Sequence, residues 1–170
     1  TTELIEEKAA SGDATLDFVT GIDETYDEYI LTGFLQPETD DVQLGLQLSD
    51  DGGATFKTGY HSFGRYGRQD GAQQTDFARG GNEIIIGDDT AALKVGNESS
   101  EGIWFVAKMI NVRTVLLPKL VRGECSYICS DSGFITGSFG GTYQAGILTN
   151  GFRVAFLVGN IASGNVRLLG

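Results

Sequence analysis

Hydrophobic and polar positions alternate most cleanly over residues 42–48. Val42, Leu44, Leu46 and Leu48 share one face, and Gln43, Gly45 and Gln47 share the other. Strict period two of this kind marks a strand with one buried face. Shorter or less regular versions recur over residues 14–19, 29–35, 55–60, 83–86, 102–110, 114–120, 127–130, 134–138, 152–158 and 165–169, with a further short run at 91–95. Turn signals separate them, among them Gly21-Ile22-Asp23, Gln36-Pro37 and the hairpin dipeptide Asn150-Gly151. No stretch carries a helical period. The pattern predicts one all-β domain, a β-sandwich or jelly roll of about ten short antiparallel strands.

Two segments fall outside this rhythm. Residues 1–10 place Leu4 and Ile5 among Glu3, Glu6, Glu7 and Lys8, and read as an N-terminal arm preceding a sandwich over 11–170. The apolar pair predicts a contact with a neighbouring subunit or a lattice. Residues 61–82 are rich in Gly, Arg, Gln and Asp and read as a long loop. Aromatic and basic side chains punctuate it: Tyr60, Phe63, Tyr66 and Phe77 interleave with Arg65, Arg68 and Arg79. Protein interfaces and sugar-binding surfaces both use this combination, so these seven are the candidate interface or glycan contacts.

Composition supports the β reading and narrows function. Twenty-five glycines in 170 residues is about twice the usual share of roughly 7%, as expected for many tight turns. Twelve basic residues stand against 23 acidic ones, a net charge of -11. That balance disfavours nucleic acid and anionic membrane surfaces as partners. No apolar run reaches the ~18 residues of a membrane-spanning helix, and residues 1–8 lack the apolar core of a secretory leader. Cys125 and Cys129, on one strand, would lie ~13 Å apart at ~3.3 Å per residue, beyond the ~7 Å reach of a disulfide. Two free thiols are therefore expected, which suits assembly in a reducing cytoplasm.

Catalytic signatures are sparse. No nucleophile elbow, Walker loop or dinucleotide fingerprint occurs, and no enzymatic activity or cofactor is expected. A small glycan hydrolase working through paired carboxylates is a third reading. His61, the single histidine, has no zinc-ligand spacing to the cysteines. The acidic pairs Asp23-Glu24, Asp27-Glu28, Asp40-Asp41 and Asp88-Asp89 match no EF-hand loop. They read as solvated loop carboxylates, with no required ion. Ser49, Asp51, Gly53, Thr55 and Phe56 fit Ser-x-Asp-x-Gly-x-Thr-aromatic, which resembles the Asp-box of sialidase-like propellers. A single box is a structural turn: Asp51 accepts backbone N–H groups, Gly53 supplies positive φ, and Phe56 anchors the return.

Three stretches together resemble small structural proteins of tailed bacteriophages and prophages. They are Ala14-Thr15-Leu16-Asp17-Phe18 with Gly21-Ile22-Asp23-Glu24-Thr25-Tyr26-Asp27-Glu28-Tyr29; Leu35-Gln36-Pro37-Glu38-Thr39-Asp40 with the Asp-box; and Gly159-Asn160-Ile161-Ala162-Ser163-Gly164-Asn165-Val166-Arg167-Leu168-Leu169-Gly170. Leu169 departs from the aromatic residue such proteins often carry. The resemblance implies a β-sandwich on a virion, assembled in the host bacterial cytoplasm, often as symmetric oligomers, with a homotrimer expected. A tail-fibre shaft would show heptads or repeats, and neither is present. The expectation is therefore a head decoration or cement protein contacting copies of itself and the major capsid protein or a tail protein. The alternative is a tail-fibre or receptor-binding module recognising host-surface glycan.

Overall fold

The computed structural model describes residues 2–23 and 25–170. Within them lie twelve strands and no helix: β1 (Leu4–Ala10), β2 (Leu16–Phe18), β3 (Glu28–Pro37), β4 (Leu44–Ser49), β5 (Tyr60–Arg68), β6 (Gln73–Gly81), β7 (Ile84–Ile86), β8 (Gly102–Ile110), β9 (Lys119–Ile128), β10 (Phe134–Tyr143), β11 (Gly151–Phe156) and β12 (Ile161–Leu169). They form two antiparallel sheets. The larger has the order β1-β12-β3-β8-β9-β10-β5-β6, and the smaller has the order β2-β11-β4-β7. The result is a β-sandwich of eight strands against four.

Alternation explains the core. Leu31 and Leu35 of β3, Phe105 and Met109 of β8, Val121 and Tyr127 of β9 and Leu168 of β12 turn inward from the large sheet. Leu44, Leu46 and Leu48 of β4, with Phe152 and Val154 of β11, meet them from the small one. The Tyr29 and Phe152 rings lie 5.9 Å apart at their centroids. Burying each large apolar side chain contributes roughly 1.5–3 kcal/mol, so the alternating residues fix the register.

Several expectations need correction. Residues 4–10 are not an arm but the edge strand β1, paired with β12 from Leu4↔Leu169 to Ala10↔Gly164. Ile5 packs partly against the chain's own core, while Leu4 is exposed. The charges that disguised the strand suit an edge, where they discourage pairing with foreign chains: Glu7 pairs with Arg167 at 3.3 Å, and Glu6 with Lys8 at 3.2 Å. Residues 61–82 are not a loop either. They form the β5–β6 hairpin, closed by a turn in which Ala72 O accepts the Arg68 N–H at 2.9 Å. Its period two was hidden because the inward positions include Ser62 and Gly64, while Phe63 points out.

Residues 114–118 break the strand expected there. Pro118 has no N–H to give a ladder, and β9 begins only at Lys119. The buried Lys119 ammonium instead donates to the carbonyls of Asn111, Thr114 and Leu117, holding up a loop whose Leu116 is 86% exposed. Residues 55–59 return without strand pairing, and Val95 makes only isolated bridges to Val42 and Cys129.

Candidate functional site

The seven aromatic and basic residues singled out in the sequence divide by strand face. Tyr60 and Tyr66 point into the sandwich and are buried. Neither can touch a glycan or a partner. The Tyr60 hydroxyl accepts the Leu48 N–H at 2.7 Å, and the Tyr66 hydroxyl accepts the Gly87 N–H at 3.1 Å. Burial pushes both phenols well above the usual tyrosine range. The Tyr66 ring fills the space that a Cβ on Gly64 would need, which is why that inward position carries no side chain. Arg68 is held at the hairpin end by ion pairs with Asp131 and, at 3.5 Å, with Asp70.

The other four lie on the outer face. Phe63 and Phe77 are directly opposite across β5 and β6, 51% and 61% exposed. The Arg79 guanidinium lies 5.1 Å from the centre of the Phe77 ring. Arg65 donates to Gln73 at 2.9 Å. Beside Phe63 the neighbouring strand β10 presents Gly140, so a shallow apolar strip flanks the phenyl pair. β6 is the terminal strand of the large sheet, and its outward backbone groups have no strand partner among the described residues.

Under the same hairpin lies a cleft of about 180 Å³ bounded by Gln43, Phe63, Tyr66, Asp76, Phe77 and Asp89. At its acidic end Asp76, Asp88 and Asp89 each bring one carboxylate oxygen to within 4.8 Å of the others. Asp76 comes from β6, and the other two come from the turn after β7. Three neutral donors hold that turn. Asp88 N–H donates to the Tyr127 hydroxyl at 2.8 Å, Asp89 N–H to Asp76 Oδ2 at 2.9 Å, and Thr90 N–H to Asp88 Oδ1 at 2.7 Å. Asp88, expected to be solvated, is 1% exposed, and its Oδ2 is buried without a hydrogen-bond partner. No ion pair among the described residues involves any of the three. Partial burial and the facing Asp88 charge raise the Asp76 carboxyl to about 6. Asp76 carries no signal in the sequence, because only the β5–β6 hairpin and the segment before β4 bring it into one cleft with Gln43.

The Asp-box forms the expected side-chain hydrogen bonds, but Phe56 does not anchor a strand in the core. Asp51 Oδ1 accepts the Thr55 N–H at 2.9 Å and the Ser49 hydroxyl at 2.7 Å, and Oδ2 accepts the Thr55 hydroxyl at 2.6 Å. These donors hold the carboxyl far below the usual aspartate range. Gly53 has φ 86°. Phe56 is only half-buried, and the Arg153 guanidinium sits 3.8 Å from its ring centre. Cys125 and Cys129 are both free and buried, and burial pushes the Cys125 thiol up to about 12. His61 does not join them: among the described residues, only Asp76, Asp88 and Asp89 converge closely enough to share an ion. Glu24, one half of an acidic pair, lies outside the described residues.

Searches against protein-family models, curated proteins and solved structures found no match to this chain.

Proposed function

We propose that this chain is a non-enzymatic structural protein displayed on the particle of a tailed bacteriophage, as a head decoration that associates with copies of itself. The observation that carries the reading is the β6 edge: nine residues long, unpaired on its outer side, with Phe77 exposed beside Phe63. Monomeric proteins guard such edges because they template pairing with another chain. β1 at the other end of the sheet is guarded by charge. β6 presents Gln73, Gln74, Thr75 and Phe77, which suit a subunit contact repeated around a symmetry axis. The three stretches that resemble phage structural proteins supply the particle, and the trimer follows from that resemblance. Residues 4–10 pair with β12 in their own sheet, so the contact proposed here is placed at the β6 edge.

Imaging of particles lacking the gene tests the placement. Heads that lose an external density while tails stay intact support it; lost tails with intact heads overturn it. Light scattering of Phe77→Glu tests the contact: the expected result is a monomer with an unchanged β spectrum.

One observation favours a second reading, a host-glycan-binding module. Phe63 and Phe77 form an apolar platform beside the Gly140 strip, with Arg79 at its border, and sugar rings stack on such surfaces. Glycan-array binding lost in Phe77→Ala supports this reading. Tyr66 is unsuitable as a probe because it is buried.

A further inference from the structure

A buried carboxylate oxygen without a donor is costly, because an isolated charge taken out of water is stabilised only by pairing or by a metal. Asp88 Oδ2 is such an atom, in a side chain 1% exposed. It belongs to a group whose three members approach within 4.8 Å and whose remaining near donors are all neutral N–H groups. Carboxylates of this kind attract hard cations, and calcium takes such oxygen ligands in flexible geometry. The turn is preset for it. Tyr66 and Tyr127 bind the N–H groups of Gly87 and Asp88, so the two aspartates after β7 are held opposite Asp76 before any ion arrives.

We propose that Asp76, Asp88 and Asp89 form a calcium site that ties the β5–β6 hairpin of the large sheet to the turn after β7 of the small one. Asp76 and Asp88 are the inner ligands. Asp89, which is exposed, closes the site toward solvent. The ion would neutralise most of the local negative charge and fix the wall of the cleft beneath Phe63 and Phe77. This inference goes beyond the proposed function and stands without it, because it concerns only groups within one chain.

The test uses the full chain, stripped with EDTA and then titrated with calcium at neutral pH by calorimetry and thermal melting. Saturable binding of one ion per chain is expected. The melting temperature should rise by roughly 5–10 °C at free calcium about 100 times the dissociation constant. Terbium should report the same site through luminescence sensitised by the adjacent tyrosines. Asp76→Asn and Asp88→Asn should each weaken binding by a decade or more, while Asp40→Asn, at an exposed residue outside the cluster, leaves it unchanged. Should Asp88→Asn fail to fold, Asp89→Asn, altering an exposed ligand, carries the same test. Absence of saturable binding at millimolar calcium, a preference for magnesium, or unaltered affinity in the Asp76 and Asp88 variants would overturn the proposal.

Discussion

Asp51 and Asp88 are both loop aspartates in a strongly acidic chain, yet their surroundings are opposite. Asp51 is exposed and saturated: Thr55 and Ser49 direct three donors at its two oxygens. Asp88 is buried and short of donors, with Asp76 and Asp89 beside it and one oxygen unpartnered. Burial and the supply of donors together decide how well a carboxylate is stabilised. The first arrangement is complete within seven residues and serves the fold. The second is assembled by tertiary structure and is complete only with something positive.

Disrupting the support of the second region has the largest expected effect. Tyr66→Ala removes a buried ring and the acceptor of the Gly87 N–H, and should cost about 3–5 kcal/mol. Phe63→Ala, three positions earlier on the outer face of the same strand, should stay within about 0.5 kcal/mol. Urea unfolding of the two variants measures the gap. Asp51→Asn should lower the unfolding midpoint, since the amide cannot accept all three bonds. Asp88→Asn should shift it in the other direction in EDTA, because it removes a buried charge that faces two other carboxylates. Equal signs for the two variants would erase the contrast.

Acid titration sharpens the contrast further. The Asp76 carboxyl, raised to about 6, binds more protons folded than unfolded. With an unfolded value of about 3.9, metal-free stability should fall as pH rises from about 4 to 6. Asp88 and Asp89 are the charges facing it. Asp51 is depressed, so its contribution is present above about pH 4 and lost on further acidification. Asp76→Asn should flatten the upper limb and Asp51→Asn the lower, in melts recorded across that range.

The sequence makes the first region legible and hides the second for the same physical reason. Ser49 to Phe56 is local, so spacing alone predicts its hydrogen bonds. The all-β sandwich was equally readable from Val42 to Leu48, because a half-buried strand writes its environment at every second position. β1 is hard to read from the sequence because its apolar residues are few and an edge tolerates charge. The β5–β6 hairpin is hard to read because Ser62 and Gly64 occupy inward positions, the second covered by Tyr66. Spacing does not pair Asp76 with Asp88, since eleven residues and a sheet-to-sheet crossing separate them. The β6 edge was likewise invisible, for being an edge is a property of the whole sheet order.

The pairing of β1 with β12 has a mechanical consequence. Glu3 and Gly170 exchange both backbone hydrogen bonds, at 2.9 and 3.0 Å, so the described strand ends lie side by side at one margin of the large sheet. Tension applied through residues 2 and 170 would act across the ladder and not along it. The bonds from Leu4↔Leu169 to Ala10↔Gly164 would open singly, as a zipper does, at low force. Tension entering through the β6 margin would instead cross the full width of the eight-stranded sheet.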